Sequence, residues 1–480
     1  MPRRLIASAL LALPLVLTAC DASDFWPGSS TSVEQARWSN ATVRQLREAI
    51  DQRAAHGLDR MTFKVEGQPG GADGEAALTR SALRYAAALA QGASDPAKLH
   101  AIYTLPRPQV DLQRGLAEAL AKGKVDDWLE SLAPQDDSYR KLSKAYLALG
   151  GGRSAATPAP AIPDAAEPLK PGQTDKRVPA IARQLVASDY LDPAQAQGDR
   201  YNDAMVRAVR QMQANYGIEP DGIVGGGVLE ILNLSDADRA RAIAVAMERQ
   251  RWLAREAPAT RIDVNIAAAR LSYWRDGKLV DSRKVVVGKP ENETPLLGSP
   301  IYRLVANPTW TVPRSIERKE IAGKGGDYLR RNNMVWKDGW IVQQPGPHNS
   351  LGQVKFDMKN DHQIYLHDTP AKALFNEVQR QRSHGCVRVD DALGFAAMLA
   401  RDEGVLDEWN RARASGKESF VPLPRQIPVR LYYQTVMLDE AGEPVIRADP
   451  YGWNERVSTA LGFPTRQDMR FRPSTSDVGP

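Results

Sequence analysis

Ile364-Tyr365-Leu366-His367-Asp368-Thr369, followed by Ser383-His384-Gly385-Cys386-Val387-Arg388, is the stretch on which the reading of this 480-residue chain turns. The first segment reads as a strand that ends in a polar turn. Residues 368–382 then leave room for a helix that brings the second segment back alongside it. The chain has two cysteines, Cys20 and Cys386, too few for a disulfide scaffold or a four-thiolate zinc site. Cys386 is flanked by His384, Gly385 and Arg388, a polar and electropositive setting that favours a thiolate. A cysteine nucleophile needs a base in reach and donors aimed at the developing oxyanion. His367 supplies the base, a carbonyl near Asp368 fixes its tautomer, and the amides of Gly385 and Cys386 are the candidate donors. His384 is then a loop organiser or a secondary base. Two alternatives stand beside this reading. One is a buried, inert thiol. The other is a zinc site built from His362, His367, His384 and Cys386, which lacks the usual i,i+4 histidine pair on a helix.

Around this segment the pattern is that of strands. Leu271–Trp274 and Lys278–Val280 flank Arg275-Asp276-Gly277, a hairpin signal, and Val285–Val287, Ile301-Tyr302 and Val429–Tyr433 continue the series. Between residues 312 and 347 the alternation breaks into a helical insert bearing Trp336 and Trp340, long enough to act as a lid. Upstream, residues 178–235 carry three helical segments around a turn at Asp221-Gly222, and 150–177 is a Pro/Gly/Ala-rich linker. Residues 33–149 have helical spacing (Leu78, Leu83, Ala86, Leu89), with Gly57 as a C-cap. The expected fold is multidomain α+β. It comprises a helical N-terminal scaffold, a three-helix module at 178–235, a β-rich catalytic domain over 236–460 and a flexible tail at 461–480.

The N-terminus reads as a processing signal. Arg3-Arg4 precedes an apolar run, Leu5–Val16, that is too short to span a bilayer. Leu17-Thr18-Ala19-Cys20 resembles a bacterial lipobox: residues 1–19 would be removed, Cys20 lipidated, and 20–32 left as a tether. An ordinary signal peptide with an incidental cysteine is the alternative. Asp21 resembles an inner-membrane retention signal, although inner and outer membrane both stay open. A net charge of +5 over the chain gives no electrostatic footprint for nucleic acid.

The pattern from His367 through Ser383-His384-Gly385-Cys386-Val387-Arg388 resembles the signature of the L,D-transpeptidases. Asn307–Ile316, Pro345–Phe356 and Asp449-Pro450-Tyr451-Gly452 are similar to further segments of that family. The 178–235 segment resembles a peptidoglycan-binding module, and the whole arrangement is similar to the large multidomain Gram-negative branch. Asn265–Ala269 departs from the family, which usually has a Pro and an aromatic there. The resemblance implies that Cys386 forms a thioester with a tetrapeptide stem, releases D-Ala, and passes the acyl group to an amine of a second stem, making a 3→3 cross-link. It implies a catalytic loop of Ser383, His384, Gly385 and Cys386, with Arg388, Asp368, Tyr365, Asn349 and Trp310 on the substrate side. No metal or organic cofactor is called for. The partners implied are peptidoglycan stems and glycan, a membrane reached through the lipid on Cys20, and carbapenems as covalent inhibitors, all in the periplasm. An L,D-carboxypeptidase, a ligase joining a lipoprotein to peptidoglycan, and a non-catalytic wall anchor are the rival functions.

Overall fold

The computed structural model describes residues 37–151 and 161–465. Cys20, the signal and tether read in 1–32, linker residues 152–160 and the tail beyond 465 lie outside the described residues. Among those described, no helix is long and apolar enough to cross a membrane.

The N-terminal part is helical because its apolar positions recur at helical spacing and its helix starts are capped. Helices span Asn40–Asp51, Ala72–Gln91, Leu112–Lys122, Val125–Leu132 and Asp137–Ala148. Ser39 and Thr42 form a reciprocal capping box, while Asp111 and Asp136 cap two later helices. Gly57, at φ +66°, closes the turn that follows the first helix. The module is three helices, Val178–Ala187, Asp203–Tyr216 and Gly226–Leu232. Residues 161–177, read as linker, lie on this module: Ile162 and Leu169 are buried in its core, and Leu169 pairs with Val224. Proline-rich backbone can do this because one or two apolar anchors suffice to hold it.

The catalytic region is a nine-stranded sheet. Its order is Gln381–Ser383, Lys278–Gly288, Val387–Val389, Leu366–His367, Val354–Met358, Leu297–Ala306, Ser419–Tyr432, Arg261–Asn265, Arg270–Arg275. The last strand also pairs with Lys278–Gly288 through the Asp276-Gly277 turn, so the sheet closes on itself. Its interior is filled by Leu304, Phe356 and Val387 from strands and by Phe395 and Leu399 from the helix Ala392–Asp402. The connection 368–382 contains a short 3₁₀ turn, Lys372–Asn376, and an edge strand, rather than the α-helix expected. The insert is mixed as well. Helical turns at Arg314–Ile316, Glu317–Ile321 and Gly325–Arg331 accompany a three-stranded antiparallel sheet of Trp310–Thr311, Trp340–Gln343 and Met334–Lys337. Asp338-Gly339, both at positive φ, turns its hairpin as Asp276-Gly277 turns the earlier one.

One helix ties these parts together. Asp236–Trp252 lies in the segment read as catalytic, yet its buried residues belong to the N-terminal core, which Val457, Leu461 and Phe463 also join. Leu461 and Phe463 fall in what reads by sequence as a tail. Within this helix Glu248 and Arg251 are fully buried and paired at 2.7 Å. Glu248 also accepts from Ser94 N (2.7 Å), Ala93 N (3.1 Å) and Trp252 Nε1 (3.1 Å). Arg251 donates to His56 O (2.7 Å) and to the Tyr139 hydroxyl (2.6 Å). Two charges withdrawn from water are tolerable only when their remaining donors and acceptors are satisfied in this way. Glu248→Gln is therefore expected to lower stability by about 3–5 kcal/mol by leaving Arg251 uncompensated. Denaturant unfolding measures this; a loss under about 1 kcal/mol would show that the pair does not hold the core.

Candidate active site

The site is built on two short parallel strands. Val387 pairs with Leu366 and Arg388 with His367, and Val387 N–H donates to Tyr365 O at 3.2 Å. Partners in register point to the same side of a sheet, and alternate residues share a face. Tyr365 and His367 from one strand thus meet Cys386 and Arg388 from the other on a single face. All four line one cleft of about 700 Å³. Trp310, Ile316, Lys319 and Glu320 of the insert line the same cleft, so the insert lies on the sulfur's side of the sheet.

His367 is buried, and its Nδ1 hydrogen-bonds to Asp368 O at 2.5 Å. A carbonyl only accepts, so Nδ1 carries the proton and Nε2 is left as the basic nitrogen. Burial pushes the imidazole down to about 3, with Arg388 and then Lys355 adding to the effect against the Asp368 carbonyl. His367 is therefore neutral, with Nε2 unprotonated. Cys386 is partly exposed and its Sγ approaches Gln363 O at 3.5 Å. Burial raises its thiol above the ordinary value, while Tyr365 (by backbone and side-chain hydrogen bonds), Lys355 and Arg388 pull it back. Of the electropositive groups anticipated from sequence, Arg388 acts on the thiol and is joined by Lys355, but desolvation outweighs them. The resting pair is thiol and neutral imidazole rather than thiolate and imidazolium.

The turn that carries the sulfur is tied from within. Ser383 Oγ donates to Cys386 O (2.6 Å) and accepts from Gly385 N–H (3.1 Å). The Gly385 amide, one of the two oxyanion donors expected from sequence, is thus engaged inside the turn. Gly385 has φ +118°, a conformation that a side chain would strain by about 1–3 kcal/mol. His384 points to the insert, with Nε2 at 2.7 Å from Glu320 Oε1, and so sits as an organiser between loop and insert. Two residues expected on the substrate side are elsewhere. Asn349 is buried, donating to Pro308 O (3.1 Å) and Gln344 O (3.0 Å) while accepting from Leu351 N (2.8 Å). The Asp368 carboxylate is buried against Lys372 and Gln353 N, and only its backbone oxygen serves the site. Short polar side chains beside turns bond to nearby backbone, as Asn349 does, and a buried carboxylate takes a cation, as Asp368 takes Lys372; a motif match reveals neither. Trp310, Tyr365 and Arg388 do line the cleft. Sequence reasoning missed Lys355, whose Nζ lies 4.4 Å from the Tyr365 ring centre and 2.7 Å from Asp357. It also missed Glu320, since neither carries a local signal. Among the described residues no group of three or more His, Cys, Asp or Glu is placed to hold a metal ion.

Comparison with known proteins adds the family. Residues 259–411 match the YkuD model, "L,D-transpeptidase catalytic domain". Residues 33–145 match a "Scaffold domain" and 174–232 a "Putative peptidoglycan binding domain". A Haemophilus influenzae protein named "Putative L,D-transpeptidase" is 31% identical over 223 residues, 42% of this chain and 45% of that protein. The chain thus spans under half the length of this curated relative. Among solved structures, the ertapenem-acylated catalytic domain of an Enterococcus faecium L,D-transpeptidase is 16% identical, covering 37% of this chain and 99% of that one, with TM-score 0.21. A Mycobacterium smegmatis L,D-transpeptidase is 14% identical over 36% of this chain and 58% of that one, with TM-score 0.23. Tyr365, His367, Cys386 and Arg388 fall within the matched catalytic segment, and the chain therefore carries an L,D-transpeptidase catalytic domain of the YkuD family, preceded by a scaffold domain and a domain of the peptidoglycan-binding type.

Proposed function

We propose that this protein is a cysteine-dependent L,D-transpeptidase that makes 3→3 peptidoglycan cross-links. The observation that carries the proposal is the register of the two parallel strands, which sets Cys386 and His367 on one face of the cleft with one imidazole nitrogen held by Asp368 and the other left basic. In the first step Sγ bonds to the carbonyl carbon of the third stem residue while His367 Nε2 takes the thiol proton. Collapse breaks the C–N bond to the terminal D-Ala, whose amine leaves with the proton from His367. An amine of a second stem then adds to the thioester carbonyl, the C–S bond breaks, and the thiol regains a proton. Covering the cleft with the insert disfavours water as the acceptor. Arg388 and Lys355 favour the stem's carboxylates by charge. A carbapenem presents a strained amide carbonyl to the same sulfur and acylates it. The 174–232 domain supplies contact with the wall, and lipidation at Cys20 holds the chain to a membrane from the periplasmic side.

Three outcomes test this reading. Cys386→Ser abolishes both imipenem adduct formation, followed by intact mass, and the muropeptide dimers joined through diaminopimelate; persistence of either refutes the nucleophile, and hydrolysis without dimers identifies a carboxypeptidase. Because His367 remains neutral until pH falls to about 3, and the thiol is raised, the imipenem acylation rate holds or climbs from pH 5 to pH 8. A rate that collapses below pH 6.5, as an unshifted histidine base requires, contradicts it. Cys20→Ser moves the protein from the membrane pellet to the soluble periplasmic fraction, and retention in the pellet rejects the lipid anchor.

A further inference from the structure

Gly385 and Cys386 share a peptide whose carbonyl has its hydrogen-bond partner behind the loop rather than in the cleft. That partner is Thr294. This residue is fully buried, and its Oγ1 accepts from Gly288 N–H and donates to Gly385 O, both at 2.8 Å. A hydroxyl has one proton, and because Gly288 N–H is itself a donor, that proton is committed to Gly385 O. We propose that Thr294, backed by Tyr451, is the positioning residue that aims the Cys386 amide as the oxyanion donor. The proposal rests on the acyl-transfer reading above.

The geometry follows from the planarity of the peptide. In a trans peptide, C=O and the next N–H point in opposite directions, so fixing the Gly385 carbonyl toward Thr294 turns the Cys386 N–H away from it. The Gly385 N–H is already spent on Ser383 Oγ. Of the two amides flanking the thiol, that of Cys386 therefore remains for the oxygen that gains charge as sulfur adds to a carbonyl. Gly385, at φ +118°, has no side chain to hold this plane, and an unrestrained glycine would let it rotate.

Thr294 is in turn held. Its N–H donates to the Tyr451 hydroxyl at 3.2 Å, and that hydroxyl donates to Gly288 O. Tyr451 N–H donates to the Tyr433 hydroxyl at 3.1 Å, the two rings stack with centres 5.5 Å apart, and the Tyr433 hydroxyl donates to Asp449. Asp449 also accepts from Trp453 N at 3.1 Å and Asn454 N at 2.7 Å, the first residues of the helix Trp453–Ala460, whose Val457 is buried in the N-terminal core. Trp453 Nε1 donates to Glu293 Oε1 at 3.1 Å, beside Thr294. The donor at Cys386 is thus set by a chain of residues outside the cleft that touch no substrate.

The test separates two reactions of one thiol in the full-length protein. Acylation by imipenem develops an oxyanion; alkylation by iodoacetamide does not. Thr294→Val is expected to lower the maximal acylation rate about 100-fold, the range for losing one oxyanion donor, with the half-saturating imipenem concentration little changed and alkylation within about twofold of wild type. Thr294→Ser, which keeps the hydroxyl, restores acylation to within a few-fold, and Tyr451→Phe gives a smaller acylation loss than Thr294→Val. Wild-type acylation in Thr294→Val overturns the proposal, as does a parallel fall in both reactions or a failure of Thr294→Ser to restore the rate. A wild-type protein that is alkylated but never acylated overturns the acyl-transfer reading itself, and this proposal with it, so the two failures are told apart.

Discussion

The parallel pairing of Leu366–His367 with Val387–Val389 is the constraint on which the site depends. Parallel neighbours cannot be joined by a tight turn, so the chain must leave the sheet and return. Here it does so through a 3₁₀ turn and an edge strand, with Leu374 and Phe375 packed on Val286. Slipping the register by one residue would turn His367 or Cys386 to the opposite face. Both strands are buried at the centre of a sheet closed on itself, so such a slip would also expel Leu366 and Val387 from the core. Core packing and catalytic geometry are therefore enforced by the same contacts.

The cleft's electrostatics follow from depth as much as from charge. Lys355 and Arg388 favour a thiolate and disfavour an imidazolium, and burial disfavours both ions. The two effects agree at His367 and oppose each other at Cys386. A neutral pair of thiol and imidazole results. Such a thiol is less prone to adventitious oxidation than a standing thiolate.

The catalytic sheet is also not self-contained. The helix Asp236–Trp252 belongs to the N-terminal core by its contacts, and the segment from Tyr433 to Phe463 crosses from the sheet into that same core. On the way it supplies Tyr451 to the loop behind the catalytic turn. Scaffold and catalytic domain share side chains rather than a linker, so the rigidity of one is available to the other.

Much of this was legible in the residues themselves. Motif spacing alone marked Cys386 and His367, the Asp276-Gly277 turn marked a hairpin, and helical spacing marked the N-terminal part, because each depends on neighbours in sequence. The role of Asp236–Trp252 was hidden because its charged residues are spread around the helix, and nearly every position from Ile243 to Trp252 is buried, with Glu248 and Arg251 satisfying each other. Asn349 and Asp368 looked like substrate contacts by motif, yet backbone groups claim the Asn349 amide, and Lys372 with the Gln353 amide claims the Asp368 carboxylate. Lys355, Glu320 and Thr294 reach the site only through long-range pairing. The sequence by itself determined which atoms are available for chemistry. Tertiary structure decided their protonation, since desolvation is a property of what surrounds a group, and decided which backbone amide is left to act, since that depends on partners distant along the chain.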